Sequence, residues 1–287
     1  MNELFGWRVP VDEWATNIFN WLDRNLAPLW DFIREVLGGA YEGLGNLLNT
    51  LPPIAVILVL GVLGLLVRGW LFGLGATAGL LLIDLMEQWE NTMLTLSMVL
   101  VACAVAALFA VPIGIAAARS QTVSSVVRPV LDFMQTMPAL LYVLLAVLIF
   151  SVGVVPGIVA TIIFAMPPGI RLTELGIRQV DPEVVEAGHA FGSSPAKILR
   201  QVQLPLALPT IMAGINQIIM LALAMVVLAG MVGGPGLGQV VLAALNRLNI
   251  GLGIEAGLSV VILAIYLDRF TGALGSRSRV ARLEKAA

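Results

Sequence analysis

The stretch Arg171 to Pro205 reads RLTELGIRQVDPEVVEAGHAFGSSPAKILRQVQLP, and it is the only long polar run between the apolar segments of this chain. Apolar segments flank it on both sides, so it projects from a membrane-embedded body. Its punctuation predicts two short helices. Asp181 is placed to cap the first, with Pro182 at the first helical position, where a missing N–H costs nothing. Gly192 stops that helix, Ser194 caps a second, and Pro195 opens it. Pro205 is expected to mark the return to the membrane. A structured polar helix-turn-helix on an apolar protein fits a docking handle for a soluble partner.

Outside this stretch, the composition already excludes a soluble domain. Hydrophobic residues make up 59% of the 287 and charged residues only 12%, and the mean hydropathy is +0.96. Soluble domains carry about 25% charge. Seven apolar segments stand out: 52–67, 70–83, 92–118, 129–150, 154–170, 206–232 and 254–267. Each is weighed against the roughly 20 residues needed to cross a bilayer. The first, second and last are short, and the first two could form one re-entrant hairpin, which leaves five or six crossings open.

Lys and Arg favour the cytoplasmic side. Seven crossings place Arg68, Arg119 and Arg128, the arginines and lysine of the polar loop, and the C-terminal basic cluster (Arg269, Arg277, Arg279, Arg282, Lys285) on one side. Asp84, Glu87 and Glu90 fall on the other. The expected topology is N-terminus out, C-terminus in, polar loop in the cytoplasm.

Residues 1–50 read as a separate extracytoplasmic element. Val11, Trp14, Ile18, Trp21 and Leu22 recur at helical spacing, with Asp12, Glu13, Asp23 and Arg24 elsewhere on the wheel. Two readings stay open: an amphipathic helix lying on the outer membrane surface, or a cap packed on the protein. Glu3 and Trp7 stand where a secretory signal would carry a basic region and an apolar run. The remaining divisions are peripheral spans over 51–89, a core over 90–270 that contains the loop 171–205, and a basic cytoplasmic tail over 271–287.

Several chemistries are absent. A nucleotide-hydrolysing loop GxxxxGK[ST] has no counterpart, because neither Lys197 nor Lys285 follows glycine or precedes serine or threonine. Any energy this chain uses then comes from a partner or an ion gradient. His189 and Cys103 are the only histidine and cysteine, so no metal site or disulfide is expected. Carboxylates near the spans read as paired on their own helices: Asp132 with Arg128, and Glu174 with Arg171 and Arg178. The segment Gly233-Gly-Pro-Gly-Leu-Gly238 reads as a turn-rich reversal permissive of unusual backbone angles.

Glu186-Ala187-Gly188, then Gly192, then Leu204-Pro205 resembles the "EAA" cytoplasmic loop of ABC importer permeases. Further segments resemble the glycine betaine/proline betaine/choline branch of that family: 132–138, 171–179, 203–206, 209–214 and 255–258. The resemblance covers roughly 90–270. It implies an all-α integral membrane protein with a type I ABC importer permease (MetI-like) fold, about seven transmembrane helices and a cytoplasmic coupling helix.

In that reading Glu186, Ala187, Gly188, His189, Gly192, Ser194, Leu204 and Pro205 couple to an ATPase. Ala187, Gly188 and Gly192 would let its surface come close, and Glu186 would fix its orientation. Met134, Met137, Tyr142, Met166, Asn216, Met220 and Met225 are candidates to line the pathway. The implied assembly is a permease homodimer in the bacterial inner membrane, with two ABC ATPase subunits and an extracytoplasmic substrate-binding protein. No cofactor belongs to this chain; ATP and Mg belong to the ATPase. No catalytic residue and no nucleic-acid partner are implied. The alternatives are a related importer permease for methionine or a sulfonate, and a secondary transporter.

Overall fold

The computed structural model describes residues 10–276, and all regular structure among them is helical. Glu3, Trp7 and the basic residues from Arg277 onward lie outside the described residues. The helices are α1 (Val11–Asn25), α2 (Ala27–Thr50), α3 (Pro53–Arg68), α4 (Trp70–Leu85), α5 (Trp89–Arg119), α6 (Gln121–Thr136), α7 (Ala139–Phe150) and α8 (Val154–Arg178). There follow α9 (Pro182–Ala190), α10 (Pro195–Ile198), a π-helical turn Leu199–Gln203, α11 (Leu204–Met231), α12 (Leu237–Asn246) and α13 (Ile250–Ser276).

Four stretches are single helices long and apolar enough to cross a bilayer: α5, α8, the run Pro195–Met231 that ends in α11, and α13. Two further pairs reach that standard only together, each sharply bent: α2 with α3 at 105°, and α6 with α7 at 97°. Six of the seven apolar segments thus fall in single helices. The segment 129–150 does not. Pro138 disfavours helical backbone at Met137, which adopts φ -68° and ψ 136°, and the chain turns there. The notion of one straight span through it is corrected. Hydropathy also passed over α12, a 10-residue helix.

α5, α8 and α11 form the centre. α8 runs parallel to α5 and antiparallel to α11. The contacts are close because small residues meet. A methyl on Gly157 would stand 2.7 Å from Ala229 Cβ, and one on Gly214 3.3 Å from the Gly169 Cα. Such small-residue contacts let helix backbones approach in lipid, where the hydrophobic effect supplies no drive. Of the glycine pairs spaced four apart, Gly75/Gly79 and Gly153/Gly157, the second member of each is tightly packed, whereas Gly75 and Gly153 face open space.

α3 and α4 form a tight antiparallel hairpin against α13, where the Tyr266 hydroxyl donates to the Leu60 carbonyl at 3.0 Å. Arg68 donates to the Arg269 carbonyl at 3.3 Å, so these two arginines share one end of the bundle. α13 runs on to Ser276, so residues 271–276 continue a helix instead of starting a tail. Arg119, Arg128, Arg171 and Arg178 occupy that same basic end, while Asp84, Glu87 and Glu90 occupy the other.

Residues 10–50 divide between the two readings of the N-terminal element. α2 packs on the acidic end of the bundle: Trp30 meets Phe150 edge-on at 6.0 Å, and Leu37 and Tyr41 are buried. α1 has no buried residue. Its Val11, Trp14, Ile18 and Trp21 are all exposed.

At the acidic end the glycine-rich segment is a packed turn. Gly233 and Gly236 have φ +86° and +120°, a region open to glycine and costly for other residues. A methyl on Gly238 would lie 2.0 Å from the Val226 carbonyl oxygen. The Leu237 N–H donates to Thr95 Oγ1 at 2.8 Å. These contacts fasten the turn to α5 and α11.

Candidate functional site

At the basic end, α8 delivers the chain into the polar loop. The Asp181 carboxylate accepts from the Glu183 N–H at 2.9 Å and caps α9, which Pro182 opens. α9 stands clear of the bundle and has no buried residue. It ends on a paired cap. The Gly192 N–H donates to the His189 carbonyl at 2.9 Å, and the Ser193 N–H to the Gly188 carbonyl at 3.1 Å. Gly192 takes φ +73°, the left-handed residue this motif requires.

Ser194 Oγ then accepts from the Lys197 N–H at 3.4 Å and caps α10. The two-helix expectation needs one correction here. α10 does not end before the membrane but winds through the π-helical turn into α11, giving a run of 37 residues. Leu204 is half-buried at the start of α11 and Pro205 is exposed in its first turn, where proline is tolerated. Pro205 follows just after the π-helical turn Leu199–Gln203, and the helix runs on through it.

The motif residues face different ways. Gly188 turns toward α10: a methyl on it would stand 3.1 Å from Ile198 Cγ1. Glu186, Ala187 and His189 are exposed. Gly188 thus packs within its own loop, against Ile198. One exposed residue had no place in the motif reading. Phe191, the C-cap of α9, is 89% exposed.

An ionic cluster roots the loop. Glu174, only 3% exposed, accepts from the Ser124 hydroxyl at 2.8 Å and from Arg128 Nη2 at 2.9 Å, and Arg178 Nε lies 3.0 Å away. Arg178 also donates to Gln121 Oε1 at 3.1 Å and to the Ala117 carbonyl at 2.9 Å. Arg171 pairs with Asp132. The same-helix pairs expected from spacing, Asp132 with Arg128 and Glu174 with Arg171, are corrected to pairs across the α6–α8 contact. The Glu174–Arg178 pair stands as expected. Arg128, Asp132, Arg171, Glu174, Leu175 and Arg178 line an open pocket of about 300 Å³.

The pathway candidates scatter. Met137, Tyr142 and Met225 gather in one apolar cluster with Val143, Ala146 and Ala160. The Tyr142 hydroxyl donates to the Met134 carbonyl. Met225 is 1% exposed and Tyr142 5%, so both lie within the subunit and present almost no surface. Met134 and Met166 pack against the main core half-buried. Asn216 donates to Asp268 at 2.7 Å and accepts from the Thr271 hydroxyl at 2.7 Å, which ties α11 to α13. Asp268 lay unnoticed in the sequence, hidden at the end of an apolar segment. Only Met220 projects outward, at 44% exposure.

A bundle of membrane-length helices with a capped helical loop at its basic end is the architecture of a transport permease. Residues 110–280 match the family described as binding-protein-dependent transport system inner membrane component, and the chain belongs to that family. It is 43% identical over 271 residues to the glycine betaine/proline betaine transport system permease protein of Escherichia coli K12, covering 94% of this chain and 77% of that one. It is 45% identical over 264 residues to the glycine betaine transport system permease protein of Bacillus subtilis 168, covering 92% and 94%. The fold is also that of the inward-facing MetNI methionine ABC transporter, with TM-score 0.55 at 23% identity over 67% of this chain and 92% of that one.

Proposed function

We propose that this chain is the membrane-spanning subunit of an ATP-driven importer for glycine betaine, proline betaine, choline or a similar quaternary ammonium solute. The observation that carries this is α9, capped at both ends and standing free at the basic end of a permease bundle. Two copies pair around a central pathway. Each docks one ATPase through α9, and ATP with Mg binds there and not on this chain. A binding protein delivers solute at the acidic end, which faces outward, while the basic end faces the cytoplasm. Glu174 and its arginines tie α8 to α6, so motion of α9 reaches the bend at Met137. The exposed apolar stripe of α1 lies against the outer membrane surface.

Similarity to permeases named for betaines supports the solute class, whereas the likeness to the methionine transporter speaks for the fold alone. The test is uptake of labelled glycine betaine into vesicles reconstituted with permease, ATPase and binding protein. Uptake should require all three and ATP. Uptake driven by an ion gradient without the ATPase would establish a secondary transporter instead.

A further inference from the structure

The bend between α6 and α7 takes the helical donor from one carbonyl, and a side chain beyond the bend replaces it. In a continuous helix the Met134 carbonyl would accept from the N–H four residues on, but that residue is Pro138, which has none. The Tyr142 hydroxyl donates to it instead. Acceptor and donor stand on opposite sides of the 97° bend, Met134 on α6 and Tyr142 on α7. They also belong to different apolar clusters. Met134 packs against the main core, whereas Tyr142 sits with Val143, Ala146 and Ala160 in a second one. The tyrosine ring meets Phe164 of α8 edge-on at 6.0 Å. There α8 is weakened in the same way: Pro167 and Pro168 lie inside it and remove the donors to the carbonyls of Ile163 and Phe164. The Tyr142–Phe164 contact thus links two proline joints. On the basic side of them, α6 and residues 169–178 of α8 are bound together by the Arg128–Glu174 and Arg171–Asp132 pairs. On the other side, α7 packs on residues 154–166 of α8 through the second cluster.

Resting on the transport role proposed above, we infer that Tyr142 is a positioning residue of the transport cycle, the latch of a hinge that runs through Met137-Pro138 and Pro167-Pro168. With its hydrogen bond made, the end of α6 is fixed to α7 and, through Phe164, to α8. When the body that carries α6 swings away, the bond breaks. The Met134 carbonyl is then left among apolar groups without a donor, which is costly. The latch therefore biases the hinge toward the bend described here, and the drive from the ATPase works against it. Tyr142, placed by its sequence among the candidates for the pathway, acts from inside the subunit and touches no solute.

The test is Tyr142→Phe, which deletes the hydroxyl and keeps the ring, in vesicles holding permease, ATPase and binding protein. Tyr266→Phe is the control. It deletes a hydroxyl with the same kind of partner, the Leu60 carbonyl, on helices outside the hinge. Glycine betaine taken up per ATP hydrolysed, for equal amounts of folded permease, should fall about 2-fold to 10-fold in Tyr142→Phe, the shift that one net hydrogen bond gives an equilibrium. It should stay at wild type in Tyr266→Phe. Amide hydrogen exchange across residues 133–142, measured on the permease alone in lipid nanodiscs, should speed up in Tyr142→Phe only. This second readout needs neither ATP nor solute. Unchanged exchange would overturn the latch. Faster exchange with wild-type uptake per ATP would overturn its part in transport and leave Tyr142 a static staple. An equal fall in uptake per ATP for both tyrosine variants would overturn it too, since the effect would not belong to the hinge. Absence of ATP-driven uptake by the unaltered chain would instead overturn the importer reading, with the exchange result still deciding the latch.

Discussion

Gly188 on α9 packs against Ile198, the buried end of α10: a methyl at Gly188 would stand 3.1 Å from Ile198 Cγ1 and 3.3 Å from its Cδ1. The glycine of the motif therefore joins the two halves of the loop. Its substitution acts first on the shape of the loop and only through that on a partner.

Gly188→Val should abolish ATP-driven uptake while leaving membrane insertion intact, since the clash lies outside the bundle. Adding Ile198→Ala removes the opposing side chain and should restore uptake to at least about half. A surface glycine would not be rescued this way. Failure of the double variant to recover, in the same vesicle assay, would return Gly188 to the docking face.

The ionic cluster should show a ranked response. Glu174→Gln keeps shape but leaves Arg128 and Arg178 facing each other without a counter-charge. Both arginines retain solvent contact, so the cost is about 1–3 kcal/mol and not the larger penalty of a fully buried pair. Asp132→Asn breaks a pair whose two side chains are both largely exposed, and should cost about 0–1 kcal/mol. Thermal unfolding in detergent should place the Glu174 variant clearly below the Asp132 one. Equal midpoints would deny Glu174 the central position.

The glycine turn at the acidic end is a steric requirement. Gly238→Ala drives a methyl to 2.0 Å from the Val226 carbonyl oxygen near the C-terminal end of α11, where neither backbone can yield. The expected loss is at least about 3 kcal/mol. Gly257→Ala in α13 meets nothing within 4 Å and should gain up to about 1 kcal/mol from helix propensity. The yield and midpoint of monodisperse protein measure both. Comparable behaviour of the two variants would mean that the turn is slack.

Orientation is tested by thiol labelling in a Cys103→Ser background. Ser194→Cys should resist membrane-impermeant reagents in intact cells, and Glu90→Cys should react. The reverse pattern would invert the topology and show that the arginine distribution misleads.

Local chemistry was legible in the sequence; long-range partnership was not. Asp181, Pro182, Gly192 and Ser194 act within four residues of themselves, and each terminates or caps a helix where its type predicts. Met137-Pro138 carried a local break signal too, but the apolar run around it masked a bend of 97°. The ion pairs were misread because spacing along one helix cannot reveal that α6 lies against α8, which puts Arg128 nearer Glu174 than Asp132. Phe191 looked like one more apolar residue. Its meaning depends on the cap that turns it outward, and exposure is a property of the folded loop.

Met220 and Met225 lie on the same helix and separate pathway from core. Met225 is 1% exposed against Met220 at 44%. Met225→Ala leaves a cavity beneath Tyr142 and should cost about 2–5 kcal/mol, which lowers the amount of folded permease but not the uptake per folded molecule. Met220→Ala should change stability by no more than about 0.5 kcal/mol and, on the proposal that the exposed face of α11 lines the route of the solute, slow uptake per molecule. With the binding protein held fixed, competition among glycine betaine, proline betaine and choline should keep the same order in both variants. Selection then rests with the delivering protein, and the membrane route needs only weak contacts that a permanent cation can leave. A changed order for Met220→Ala would mean that the route itself holds a selective site. A normal rate per molecule would remove Met220 from the pathway.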